Sequence, residues 1–154
     1  KRRIVRADLP RAGEMLEMLS AAIDSFIDAG YVYVGMDHFA LPDDALAIAK
    51  RQGRLHRNFQ GYSTQPDCDL IALGVSAIGR IGGTYSQNAK TLDEYYDLID
   101  QGLLPIVRGL ALSKDDLIRR AVIMAIMCQG ELLFESINNA WLIDCKQYFA
   151  AEFE

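Results

Sequence analysis

Apolar residues recur at helical spacing through Met15, Leu16, Leu19, Ala22, Ile23, Phe26 and Ile27, so the chain after Asp8-Leu9-Pro10 is expected to form an amphipathic helix stopped by Gly30. The run Tyr31-Val32-Tyr33-Val34-Gly35-Met36 is continuous, β-branched and aromatic, the pattern of a short strand buried on both faces of a parallel sheet. Leu41-Pro42-Asp43-Asp44 predicts a second, short helix reaching to Gly53, because proline suits a first turn and carboxylates favour the positive end of the helix dipole. Residues 54–66 carry neither period and read as a loop, whereas residues 69–79, apolar with repeated small side chains, read as a buried strand and a tight segment where backbone approaches something closely, broken by Gly82-Gly83.

Further on, Thr91-Leu92-Asp93-Glu94 has the form of a capping box and starts a third helix, with Leu92, Tyr95, Tyr96 and Ile99 on one face before Gly102. An extended stretch, residues 106–112, leads into Ser113-Lys114-Asp115-Asp116, which caps an apolar helix ending near Gln129-Gly130. Ile137, Trp141, Cys145, Tyr148 and Phe149 share one side of a last helix. Helix and strand alternate to about residue 110 and helices follow, which predicts part of a parallel α/β sheet joined to an α-rich module. Two strands cannot support such a sheet alone, so the remaining strands are expected before Lys1.

With 154 residues, 51% hydrophobic and 24% charged, the composition is that of a folded domain. A net charge of -5 opposes bulk attraction to nucleic acid or anionic lipid, and no apolar run approaches the roughly 20 residues of a membrane helix. The basic start, Lys1-Arg2-Arg3-Ile4-Val5-Arg6, lacks the apolar stretch of a secretory signal, so a reducing compartment is expected. Cys68, Cys128 and Cys145 are odd in number and widely spaced, fitting neither a disulfide framework nor a paired-cysteine zinc site, and read as buried small apolar side chains. No starting Met is present and a helical pattern runs to Glu154, from which a fragment is expected.

Two clusters carry candidate chemistry. Asp37 and His38 follow the first strand, where parallel α/β proteins bind ligands; a carboxylate and an imidazole there hold a ligand or move a proton, or else cap a turn. Arg51, Arg54, His56 and Arg57 gather cations beside Phe59 and Tyr62, a combination suited to planar, oxyanion-bearing ligands, with a solvated helix end as the plainer alternative. The Gln60 amide between them offers a donor and an acceptor to an adenine or an amino acid. No phosphate-binding glycine loop, zinc-cysteine pair or nucleophile elbow is present, and helices 113–129 and 137–153 lack the basic stripe of a DNA-binding module.

Read as a whole, Gly35-Met36-Asp37-His38-Phe39-Ala40-Leu41-Pro42-Asp43-Asp44 and Leu55-His56-Arg57-Asn58-Phe59-Gln60-Gly61-Tyr62-Ser63-Thr64-Gln65 closely resemble the oxygen-independent coproporphyrinogen III oxidases, radical S-adenosylmethionine enzymes of haem biosynthesis. The likeness continues through Leu73-Gly74-Val75-Ser76-Ala77-Ile78, Tyr85-Ser86-Gln87-Asn88 and Asp115-Asp116-Leu117-Ile118-Arg119-Arg120. It implies an α/β fold in which residues 1–110 are the C-terminal portion of a β/α barrel and residues 111–154 begin a helical domain. In the intact enzyme it implies a [4Fe–4S] cluster on three cysteines at Cys-x3-Cys-x2-Cys spacing, a spacing absent here, so the cluster is expected in a missing N-terminal part and this chain alone is expected to be inactive.

The resemblance further implies two bound S-adenosylmethionine molecules, hydrogen removal from two substrate propionates by a 5′-deoxyadenosyl radical, and loss of carbon dioxide to leave vinyl groups. The second S-adenosylmethionine site maps onto Phe59, Gln60 and Ile78, and Asp37, His38 and Arg57 are expected to meet the carboxylates of coproporphyrinogen III. A reduced donor such as a flavodoxin, a cytoplasmic location and a monomeric state complete the expectation, with no nucleic-acid or membrane partner. A non-catalytic tetrapyrrole-binding relative and a helical interaction module stand as alternatives.

Overall fold

Helices and strands mix along the chain, in keeping with the α/β class, in a computed structural model that describes residues 4–65 and 68–153. Lys1-Arg2-Arg3 of the basic start, the loop proline Pro66 and the terminal Glu154 lie outside the described residues. The order is α1 (Ala12–Asp28), β1 (Val32–Gly35), β2 (His38–Ala40), α2 (Ala45–Arg51), β3 (His56–Asn58), β4 (Gly61–Ser63), β5 (Ile78–Ile81), β6 (Thr84–Asn88), α3 (Leu92–Asp100), β7 (Ile106–Ala111), α4 (Lys114–Gln129), α5 (Phe134–Trp141) and α6 (Cys145–Tyr148). The chain divides into two compact units, Lys1–Arg54 and Leu55–Glu154.

The parallel pairing expected from the strand pattern is not what forms: every strand pair among the described residues is antiparallel. The cause is loop length. Met36-Asp37, Phe59-Gln60 and Gly82-Gly83 join β1 to β2, β3 to β4 and β5 to β6, and links this short permit only hairpins, since a parallel neighbour needs a crossover of a dozen residues or more. The expected loop at residues 54–66 thus contains the β3–β4 hairpin. Most of the expected strand at residues 69–79 is irregular, with Ile71 and Leu73 exposed and Leu70 making a lone bridge to Arg80.

In the unit Lys1–Arg54, the helix expected from the apolar stripe is present, but none of its residues is buried within this chain. Its C-terminal end meets the hairpin through Phe26, whose ring stacks on Phe39 at 4.4 Å and meets Tyr31 edge-on. Asp44 caps α2 by accepting from the Leu46 N–H, so the helix starts just after the proline turn. From the last turn of α2, Lys50 donates to the carbonyls of Tyr33 and Val34 at 2.6 and 2.8 Å, tying helix to strand.

In the unit Leu55–Glu154, β5, β6 and β7 form one sheet in that order, and Ile118, Ile137, Cys145 and Phe149 form the core of the helical end. Gly79 is buried in β5, where a Cβ would stand 3.0 Å from the Leu70 carbonyl oxygen, so the close passage of that chain demands glycine. The last helix is expected as one element and forms as two. Leu142 takes a left-handed conformation after α5, and Asn138 accepts from the Cys145 N–H while Asp144 accepts from the Gln147 N–H, which restarts the helix in a new direction. Cys128 and Cys145 are buried as expected, but Cys68 is exposed.

A polar latch joins α4 to α6. The Asp115 carboxylate accepts from Tyr148 O–H at 2.6 Å and from Arg119 Nε at 2.8 Å, and Arg119 also donates to Glu152. The Tyr148 hydroxyl first, then Arg119, holds the Asp115 carboxyl below its usual range, and the Asp115 bond raises the Tyr148 phenol. Asp115 therefore contributes stability above the ordinary carboxylate pKa of about 4 and loses it as pH falls through its lower folded value; Tyr148 contributes below about 10 and loses it as pH rises through its raised one. Thermal melting of Tyr148→Phe against the native protein is expected to show a deficit at neutral pH that shrinks as pH falls through the lowered Asp115 value.

Candidate functional site

The β3–β4 hairpin presents Phe59 and Gln60 at its tip. Asn58 accepts from the Gln60 N–H at 2.8 Å, a side-chain turn that fixes the link, and Gly61 supplies the positive φ that lets β4 begin. Phe59 is 54% exposed and its ring meets Tyr85 of β6 edge-on at 5.2 Å, so the ring is braced on one edge while much of its surface is open. The Gln60 side chain, also exposed, makes no hydrogen bond among the described residues. An aromatic face beside an uncommitted amide can stack a planar base and read its edge.

The root of the hairpin is anchored. Tyr62 O–H donates to the Met127 carbonyl at 2.8 Å, satisfying one of the orphan acceptors in the last turn of α4, and Gln129 reaches the Leu55 carbonyl. Arg57 lies opposite Tyr62 in register, its guanidinium 5.4 Å from that ring, half-buried and next to α4. Its charge opposes the upward push that burial exerts on the Cys128 thiol. Arg51 and Arg54 belong to the other unit, exposed at the C-terminal end of α2 where the dipole favours cations, and Arg54 donates to Gln52.

Asp37 and His38 sit in the unit Lys1–Arg54 at the β1–β2 turn, not beyond the end of a parallel strand. His38 Nδ1 and Asp37 Oδ1 are 2.8 Å apart, and the Asp37 side chain is 85% exposed. Met36 is left-handed, with φ +52, and Tyr33 O–H donates to its carbonyl, so the turn is held from beneath. Ile78 opens β5 opposite Gln87, in the same unit as Phe59, Gln60 and Arg57.

No family model matches the chain. The oxygen-independent coproporphyrinogen III oxidase of Pseudomonas aeruginosa is 52% identical over 150 residues, 97% of this chain and 33% of its own length. That of Salmonella typhimurium is 48% identical over 154 residues, 100% of this chain and 34% of its own length. The solved structure of coproporphyrinogen III oxidase (HemN) from Escherichia coli, a radical SAM enzyme, matches with a TM-score of 0.87 and 48% identity over 96% of this chain and 34% of that one. Over nearly its whole length the chain is similar to the oxygen-independent coproporphyrinogen III oxidases. It spans about a third of the length of the curated relatives it matches.

Set against the iron–sulfur cluster of a radical SAM enzyme, the cysteines of this chain do not fit. Cys68 is exposed, while Cys128 and Cys145 are buried with their thiols pushed up by desolvation, away from the thiolate a cluster requires. No group of three metal-ligating side chains occurs among the described residues. The exposed tip formed by Phe59 and Gln60 does fit an adenine-bearing cofactor. The sequence does not single out Tyr85 and Asn88 as supports of the candidate site, because Thr84-Tyr85-Ser86-Gln87-Asn88 is polar and shows no strand period; it is extended because β5 and β7 pair on both its sides.

Proposed function

We propose that this chain is one portion of an oxygen-independent coproporphyrinogen III oxidase that converts two propionates of coproporphyrinogen III to vinyl groups, giving protoporphyrinogen IX in haem biosynthesis. The observation that carries this reading is the identity of 46–52% to enzymes of that name across nearly the whole chain. Residues 1–110 belong to its β/α barrel and residues 111–154 to the start of its helical domain. S-adenosylmethionine and a [4Fe–4S] cluster supply the radical chemistry of such an enzyme, and the cluster's ligands lie outside this chain.

Within that enzyme, Phe59 stacks on the S-adenosylmethionine base, Gln60 reads its polar edge and Ile78 gives an apolar contact. Arg57, and Asp37 with His38 in the other unit, serve the carboxylate-bearing substrate. For Arg57 the argument is chemical: a guanidinium half-withdrawn from water on a tyrosine face grips a carboxylate more strongly than a free surface cation does. The location is cytoplasmic, the electron donor a small reduced carrier such as a flavodoxin, and the enzyme a monomer. No helix among the described residues is long and apolar enough to cross a membrane.

The test is made on the full-length protein, purified without oxygen and supplied with S-adenosylmethionine, reductant and coproporphyrinogen III. Protoporphyrinogen IX with two equivalents of carbon dioxide is the expected result; tetrapyrrole binding with no decarboxylation would overturn the reading in favour of a binding protein. In the same assay Arg57→Ala is expected to raise the substrate KM about tenfold, the loss of one charge-assisted contact, with melting temperature little changed.

A further inference from the structure

Among the described residues, Asn88 is the buried polar side chain, 3% exposed, and its surroundings are built around it. Both hydrogens of its amide are used: Nδ2 donates to the carbonyls of Gly74 at 2.9 Å and Ala72 at 3.3 Å. These carbonyls belong to the irregular residues 72–77, which lead directly into Ile78. The same residue's backbone N–H donates to the Ala77 carbonyl at 3.0 Å, and the Ser76 N–H donates to the Ala89 carbonyl at 2.7 Å. Gly74 is held from its other side as well, its N–H donating to Tyr95 O–H at 3.2 Å.

The loop so clamped is strained. Ser76 has φ +60, a conformation a side-chain-bearing residue adopts only where its surroundings over-determine it, and Gly74 has φ +98. The β6–β7 register skips one residue between Gln87 and Asn88, a bulge of the kind that re-aims a side chain. A strained, clamped loop immediately before a contact residue has the character of preorganisation.

We propose that Asn88 is a positioning residue that sets residues 72–77, and through them Ile78, for S-adenosylmethionine. The proposal rests on the reading of Ile78 as a cofactor contact. Asn88 touches no cofactor itself; it fixes the backbone from which Ile78 projects, and the cofactor then binds without ordering that loop first.

The test uses the full-length enzyme with Asn88→Ala and Ile78→Ala side by side. Asn88→Ala is expected to raise the KM for S-adenosylmethionine at least about fivefold with kcat within about twofold, and to speed amide hydrogen exchange at Ser76 and Ala77 while leaving α4 unchanged. A raised KM in Ile78→Ala with an unaltered KM in Asn88→Ala overturns the proposal and leaves the cofactor site standing. An unaltered KM in Ile78→Ala overturns the Ile78 reading and the proposal with it. Should Asn88→Ala fail to fold, Asn88→Asp keeps the side-chain volume: its KM is expected to fall toward the native value as acid restores a donor, and a KM independent of pH overturns the proposal.

Discussion

In the full-length enzyme, Ile118→Ala lowers the free energy of opening of α4 and α5 by about 3 kcal/mol, the cost of removing a buried branched side chain and leaving a partly uncollapsed cavity. Ile118 is 1% exposed and packs with Ile137, Cys145 and Phe149, while Ala121, Val122, Leu132 and Trp141 surround them. Large neighbours such as Ile137, Phe149 and Trp141 in this close-packed cluster relax only partly into the space, which places the loss in the middle of the usual range. Hydrogen exchange of α4 and α5 amides reads the change as a faster opening by roughly two powers of ten. A loss under about 1 kcal/mol would mean that this cluster is not the core of the helical end.

Phe59→Ala is the larger effect on binding. Stacking on an aromatic side chain is worth about 1–3 kcal/mol per base, so under the proposed role of Phe59 S-adenosylmethionine affinity is expected to fall roughly tenfold to a hundredfold. Because Phe59 is 54% exposed and its ring contact among the described residues is the edge of Tyr85, the melting temperature should move little. Gln60→Ala is expected to cost less, since one hydrogen bond exchanged with water contributes only about 1 kcal/mol. Titration calorimetry on the three proteins orders the effects; equal affinities would remove the hairpin tip from the cofactor site.

Local signals in the sequence were reliable where the chain's own chemistry decides. The α1 stripe, the Thr91 and Ser113 caps and the stop at Gly130 all appear where the spacing puts them, because a cap and its helix lie within a few residues of each other. Strand pairing was not legible. Tyr31-Val32-Tyr33-Val34 has the same pattern in a hairpin as in a parallel sheet, and the decision lay in the two-residue link that follows. Residues 69–79 were legible in part: the close backbone approach implied by the small residues appears at Gly79, but most of the expected strand is irregular, since small apolar residues suit a close-packed loop as well as a strand.

For the candidate site, Phe59, Gln60 and Tyr62 stand together in the sequence and in the β3–β4 hairpin, but the contacts that brace them are not legible in local spacing. Tyr85, Tyr62 and Asn88 act through partners 26, 65 and 14 or 16 positions away, for Tyr85 a ring contact and for the other two hydrogen bonds, and nothing in local spacing announces such pairs.

The bond from Tyr62 to the Met127 carbonyl makes the hairpin root and the end of α4 a single mechanical piece. Asn58 and Gly61 still pair across the hairpin and the Phe59 ring meets Tyr85, so the two-residue link Phe59-Gln60 is tethered to a helix through its root and to β6 through its ring. Damage at the C-terminal end of α4 then registers as blurred placement of Phe59, and a lesion in the helix can imitate a defect at the hairpin tip.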